Sequence, residues 1–91
     1  MRLFVIERDI PEVGTFERDQ LRGAAEKSNE VLGQLAPDIQ WQHSYVAGDK
    51  TFCIYLAKEE SMIHKHAEMS GFPATKVTEI KRTIDPTTAN D

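Results

Sequence analysis

The sequence predicts an α+β sandwich in which two helices cover one face of a four-stranded antiparallel sheet. Short runs rich in β-branched and aromatic residues alternate with segments of helical periodicity, in the order β-α-β-β-α-β. Two of the runs meet at Gly48-Asp49, a dipeptide typical of a β-hairpin turn. The chain has 91 residues, which suits one domain with a modest core.

The first strand is predicted from Leu3 to Arg8, an apolar run closed by a loop that contains Pro11. A long helix follows over about residues 15 to 35, with Thr15 as the candidate N-cap. Apolar and small residues recur in it at helical spacing: Leu21, Ala24, Ala25, Ser28, Val31, Leu32 and Leu35. Pro37 prevents the helix from continuing.

The next two strands, 40–47 and 51–58, form the hairpin, and two registers fit it. A two-residue loop pairs Ala47 with Lys50, and Cys53 then points away from His43. A three-residue loop pairs Ala47 with Thr51, and Cys53 then shares a face with His43. Turn statistics favour the shorter loop. We prefer the longer one, because it separates aliphatic from aromatic and polar side chains more cleanly.

A second helix is predicted to open at Glu59-Glu60 and to stop at Gly71, which can take the left-handed conformation of a helix end. Its inward stripe comprises Met62, Ile63, His66, Ala67 and Ser70. The fourth strand is predicted over Val77 to Ile84. Residues 85–91 then form a polar tail outside a single domain of residues 1–84.

This element order is that of ferredoxin-like domains, and right-handed crossovers give the sheet order 4-1-3-2 with both helices on one face. The other face of the sheet is then bare. In the preferred register it carries Leu3, Val5, Glu7, Trp41, His43, Tyr45, Tyr55 and Val77. An apolar and aromatic surface of this size needs a partner, so we predict a homodimer made face to face.

Charge and composition exclude several classes of protein. The net charge is −4 and the basic residues are scattered, so we expect no nucleic-acid partner. The apolar run at the N-terminus is too short for a signal peptide, and no long apolar stretch predicts a membrane span. A single cysteine, Cys53, excludes an intramolecular disulfide. We therefore expect a cytoplasmic protein.

The predicted topology gathers several metal donors at one end of the sheet, whatever the register. They are Glu7, Asp9, His43, Tyr45, Cys53 and His66. Imidazole, thiolate and carboxylate together suit a borderline transition metal such as nickel or zinc. His64 is not expected to join them, because residues two apart on a helix point in nearly opposite directions.

Each candidate donor also has a structural explanation. His43 in a strand can be a packed and hydrogen-bonded histidine, and a lone Cys53 can act as a small hydrophobe. His66 can pack in the core or interact with the C-terminal end of its helix. Glu7 can be a charge at the rim of the bare face. The spacing of these residues does not decide between the two explanations.

The sequence also resembles a known family in five segments: 7–9, 39–46, 49–55, 66–74 and 84–88. That family comprises small bacterial proteins described as a domain of unknown function and associated with nickel binding on a dimeric ferredoxin-like fold. The family pattern matches here at Glu7, His43, Tyr45, Cys53 and His66. The resemblance therefore implies that nickel contacts lie among these residues. Gln42 and Phe52 depart mildly from the family pattern, and neither change removes a strong donor.

The leading hypothesis is therefore a homodimeric nickel-binding protein that sequesters or senses the metal, with zinc and copper suiting the same donors. An alternative is a small dimeric α+β barrel enzyme of the monooxygenase or isomerase kind, with an organic substrate between sheet and helices. His43 or Tyr45 would then move a proton, and Trp41, Tyr45 and Tyr55 would line the pocket. A protein-interaction module that buries its sheet only against a partner is the third alternative.

Overall fold

The computed structural model describes residues 1–90 and confirms the α+β, ferredoxin-like architecture. The elements are β1 (Arg2–Asp9), α1 (Arg18–Leu35), β2 (Ile39–Val46), β3 (Lys50–Ala57), α2 (Glu60–Ser70) and β4 (Lys76–Ile80). The strands form one antiparallel sheet in the order β2-β3-β1-β4, which is the predicted order. Among the residues described, no helix combines the length and apolar character needed to cross a membrane.

The first helix begins three residues later than the sequence predicted. Val13–Thr15 form a separate 3₁₀ turn, and the Thr15 hydroxyl donates to the Glu12 carbonyl instead of capping α1. The N-cap is Glu17, whose N–H donates to the side-chain oxygen of Gln20 at 2.8 Å. This contact satisfies a backbone group at the start of the helix and fixes where α1 begins.

The end of α2 was predicted correctly, whereas β4 is shorter than expected. Gly71 takes a φ of 80° directly after α2, as the helix-stop pattern requires. β4 ends at Ile80 rather than Ile84, because Ile80 pairs with Leu3 and its partner strand begins at Arg2. Beyond that point the sheet offers no neighbour. Pro86–Asn90 form a 3₁₀ turn within the predicted polar tail, and Asp91 lies outside the described residues.

The preferred hairpin register was wrong near the turn. The structure has the two-residue loop, in which the Ala47 N–H donates to the Lys50 carbonyl at 2.9 Å. A β-bulge then shifts the register between Trp41 and His43, so Gln42 has no opposite residue. Because of the bulge, Trp41 lies on the inner face of the sheet while His43 lies on the outer face.

The inner face of the sheet packs on the helices through a small core. Its buried members are Phe4, Ile6, Val31, Leu35, Ile39, Cys53, Tyr55, Ala57 and Ile63. Three residues expected on the bare face lie on this side instead: Tyr55 is in the core, and Trp41 and Val77 pack against it. The turn register and the bulge bring Tyr55 and Trp41 inward, and pairing with Ile6 brings Val77 inward.

The other face of the sheet, which we call the open face, carries a half-exposed apolar surface. Strand alternation and pairing place there Leu3, Val5, Phe52, Ile54, Leu56 and Ile80, with Glu7, His43 and Tyr45 around them. The open face is therefore more aliphatic than predicted. His43 and Tyr45 stand at its edge, on β2.

Gly14 is expected to be intolerant of any side chain. A Cβ there would lie 2.5 Å from the backbone oxygen of Ala47, and the Gly14 N–H donates to the Gly48 carbonyl at 2.9 Å. We expect Gly14→Ala to lower the free energy of unfolding by about 1–3 kcal/mol, since the loop must move away from the hairpin. Urea denaturation measures this change.

Gly23→Ala is the matched control, because a Cβ at Gly23 meets nothing within 4 Å and the residue lies inside α1. It should be neutral or stabilise the protein by about 0.5–1 kcal/mol. An equal effect of the two substitutions would show that the close approach at Gly14 does not constrain the fold.

Candidate functional site

The five predicted metal donors lie on two opposite faces of the sheet. Glu7, His43 and Tyr45 are on the open face, whereas Cys53 is buried on the inner face. His66 is on α2 and points into the same interior, where its side chain is fully buried. The expectation that these donors gather whatever the register was therefore wrong. The donors were expected at one end of the sheet, but they lie on both of its faces.

The donors on the open face are accessible but separated. The rings of His43 and Tyr45 are in edge contact, with 5.1 Å between their centroids. Glu7 is on β1 and Tyr45 is on β2, and β3 lies between them, because Phe52 of β3 pairs with both residues. The Lys50 ammonium lies 3.6 Å from the Glu7 carboxylate and provides its positive partner.

Asp9, the sixth residue expected near the site, lies on the strand end beside Glu7. Its carboxylate is 3.7 Å from the same Lys50 ammonium. Both carboxylates thus share one cation at the rim of the open face. A metal that took either carboxylate as a ligand would have to compete with this lysine.

The inner donors are held by their own hydrogen bonds. The Cys53 thiol lies 3.5 Å from the Thr51 hydroxyl and is surrounded by the core. His66 Nε2 is 3.1 Å from Ser28 Oγ, while its buried Nδ1 has no hydrogen-bond partner. Burial, and secondarily the positive charge of Arg8, lowers the pKa of His66 to about 4. The imidazole is therefore neutral at neutral pH.

Candidate metal ligands are not clustered in the part of the chain that the structure describes. Residues 1–90 contain no group of three or more His, Cys, Asp and Glu side chains placed to hold one. The exposed pair on α2, in which His64 Nε2 lies 3.0 Å from Glu60 Oε2, supplies two donors only. His64 is half exposed, in agreement with its predicted solvated position.

A cavity of about 440 Å³ lies between the inner face of the sheet and α1. Its walls come from α1, from the hairpin, from the loop after β1 and from Phe72-Pro73. Trp41 and Tyr55 line it, as the enzyme hypothesis expected, but Tyr45 does not, because it is on the open face. His43 is likewise on the wrong face to move a proton in this cavity.

Arg8 is the residue of this cavity that the sequence reasoning missed. Its side chain is 3% exposed, and one guanidinium nitrogen donates to the Pro73 carbonyl at 2.7 Å. The other terminal nitrogen is buried and has no hydrogen-bond partner among the residues that the structure describes. Alternation along β1 could have revealed it, because Arg8 follows Phe4 and Ile6 on the face that the core covers.

Comparison with known proteins identifies the family. A family model described as nickel responsive protein SCO4226-like matches residues 4–80. The chain belongs to this SCO4226-like family. The crystal structure of SCO4226 from Streptomyces coelicolor A3(2) superposes with a TM-score of 0.75 at 14% identity, covering 90% of this chain and 99% of that one. No curated protein matched the sequence.

Membership in the SCO4226-like family confirms the resemblance inferred from the sequence, and the superposition supports the fold. The family match spans every strand and both helices, apart from the first residues of β1. It therefore includes both the open face and the cavity. Which of the two surfaces carries a function has to be argued from their chemistry.

Acid should destabilise the protein through His66. Its pKa is about 4 in the folded chain and about 6.5 when unfolded, so the unfolded state takes up the proton first. This contribution to stability is complete above pH 6.5 and is lost as the pH falls towards 4. Between pH 7 and pH 4.5, we expect the unfolding free energy of the wild type to fall by about 2–3 kcal/mol more than that of His66→Gln.

Urea titrations at the two pH values measure this difference. His64→Gln is the control, since His64 is exposed, and it should retain the wild-type dependence on pH. Parallel losses of stability in the wild type and in His66→Gln would contradict the assignment of this acid sensitivity to His66.

Proposed function

We propose that the protein binds nickel as a cytoplasmic homodimer, with His43 as the principal donor, and that it sequesters or senses the metal. The observation that carries the proposal is an exposed imidazole on the open face of a chain from a nickel responsive family. His43 is free to meet a metal ion from solvent. Imidazole nitrogen is a favourable ligand for nickel.

The buried donors of the original set contribute less to this proposal. Cys53 faces the cavity on the inner side of the sheet and His66 is fully buried, so neither shares the open face with His43, and Ser28 already occupies one imidazole nitrogen. Tyr45 and Glu7 share the open face with His43 and are better placed to supply further oxygen ligands. Waters would complete the shell, which suits exchangeable rather than structural metal.

The dimer is proposed from the character of the open face. Its six half-exposed apolar residues form a continuous patch on three neighbouring strands, and charged Glu7 and Lys50 stand at one end of it. An apolar centre with a polar rim is the usual composition of a stable interface. Two copies related by a twofold axis would cover the patch and would double the donors on that face.

Removing His43 should weaken nickel binding. We expect His43→Ala to raise the dissociation constant about tenfold or more, and we expect acid to release nickel, because a metal binds the deprotonated form of its ligands. Calorimetric titration of chelator-stripped protein with nickel, with zinc and copper as comparators, measures both effects.

The matched control is His64→Ala, which removes the exposed histidine of α2. Its nickel affinity should equal that of the wild type. Loss of binding in His64→Ala with no change in His43→Ala would assign nickel to the Glu60–His64 pair instead. Absence of saturable nickel binding by the folded wild type would overturn the proposed function.

A charge in the middle of the open face should prevent dimerisation. Ile54 lies on β3 opposite both Val5 and His43, so Ile54→Lys would bury an unpaired ammonium in the interface. We expect the dimer to dissociate about a hundredfold more readily. Sedimentation equilibrium of wild type and variant gives the two association constants.

Ile84→Lys provides the same chemical change outside the strands that form the open face, since Ile84 is 77% exposed and follows the end of β4. This variant should remain a dimer. A monomeric wild type at micromolar concentration would contradict the homodimer and would favour an interaction module that buries its sheet only against another protein.

A further inference from the structure

We propose that the cavity between the sheet and α1 binds a small, largely apolar organic carboxylate, whose carboxylate group pairs with the guanidinium of Arg8. This proposal does not rest on nickel binding, because the cavity and the open face lie on opposite sides of the sheet. It concerns a ligand site that uses none of the proposed nickel donors of the open face.

The first argument is the state of Arg8. A guanidinium is always charged, and this one is 3% exposed. One terminal nitrogen of the guanidinium donates to the Pro73 carbonyl. Within residues 1–90, the other terminal nitrogen has no hydrogen-bond partner and Arg8 forms no salt bridge. Burying a charge without a counter-ion costs free energy. An anionic ligand would supply the missing acceptor.

The second argument is the polarity of the groups beside Arg8. Ser28 and Tyr55 also line the cavity, and their hydroxyls lie 3.5 Å from each other. The guanidinium is 6.0 Å from the centre of the Tyr55 ring. Of residues 1–90, no aspartate or glutamate lines the cavity. The polar part of the cavity thus offers donors and a positive charge, which is the composition of an anion site.

The third argument is the size and character of the remaining walls. Phe16, Leu21, Trp41, Val46 and Phe72 give the cavity an apolar and partly aromatic lining. Its 440 Å³ falls within the range of small-molecule sites. At about 30 Å³ for each non-hydrogen atom, as in liquid water, it holds on the order of 15 atoms. An aryl-alkyl carboxylate of moderate length fits this volume and this distribution of charge.

The test compares an acid with its uncharged analogue on chelator-stripped, full-length protein. 4-Phenylbutyrate and 4-phenylbutanamide have the same length and ring and differ in charge at the end that would meet Arg8. Trp41 is the only tryptophan of the chain and lines the cavity, so its fluorescence reports occupancy, with calorimetry as the second measurement. We expect both compounds to bind, and the acid about tenfold more tightly than the amide.

Arg8→Met then separates charge recognition from apolar binding. Methionine keeps the unbranched stem of the side chain but removes the guanidinium, so the variant should bind acid and amide equally. Arg22→Met is the matched control, since Arg22 is an exposed residue of α1 that pairs with Asp19, and it should keep the preference for the acid. An unchanged preference in Arg8→Met, or no preference in the wild type, would overturn the proposal.

A cavity-filling variant keeps the proposal testable if Arg8→Met fails to fold. Ala24 lines the cavity from α1, and Ala24→Leu leaves Arg8 in place while occupying the space of the ligand. It should weaken binding of both compounds about tenfold or more. Undiminished binding in a folded Ala24→Leu variant would show that the compounds bind at another surface, and it would overturn the proposal that they bind in the cavity. Nickel titration of the same samples shows separately whether the metal proposal stands.

Discussion

The bulge at Gln42 is the constraint on which the arrangement of both surfaces depends. In a regular strand Trp41 and His43 would point to the same side, because side chains alternate with a period of two. The extra residue rotates one relative to the other, so Trp41 packs inward on the core and His43 faces outward. Because Gln42 is unpaired, β2 contributes Trp41 to the apolar cavity and His43 to the outer edge of the open face.

Among residues 1–90, the interior that Trp41 joins holds two basic groups, Arg8 and His66, and no buried aspartate or glutamate. Arg8 is charged, and its field together with burial keeps His66 neutral. The Ser28 hydroxyl bridges this region by lying close to His66 and to Tyr55. A buried charge without a counter-ion costs free energy. The proposed anion would supply Arg8 with the counter-ion that residues 1–90 do not provide.

The sequence predicted the fold more completely than the site. Helical periodicity, the Gly71 stop and the hairpin turn determined the order of elements, and handedness then determined the sheet. The site depended on which side each hairpin residue faces. A bulge has no signature in Gln42 itself, and the pattern of hydrophobicity favoured the longer loop. The inference that donors such as Cys53 and His43 would meet failed for this reason.

The two proposed ligands can be accommodated together because β3 separates them. Its alternate residues face opposite ways: Cys53 and Tyr55 line the cavity, while Phe52 and Ile54 belong to the open face. A face-to-face dimer would cover the latter pair and leave the walls formed by α1 uncovered. Any influence of an organic anion on the metal would have to pass through this strand. Such coupling requires that the strand have two arrangements which the two ligands favour differently.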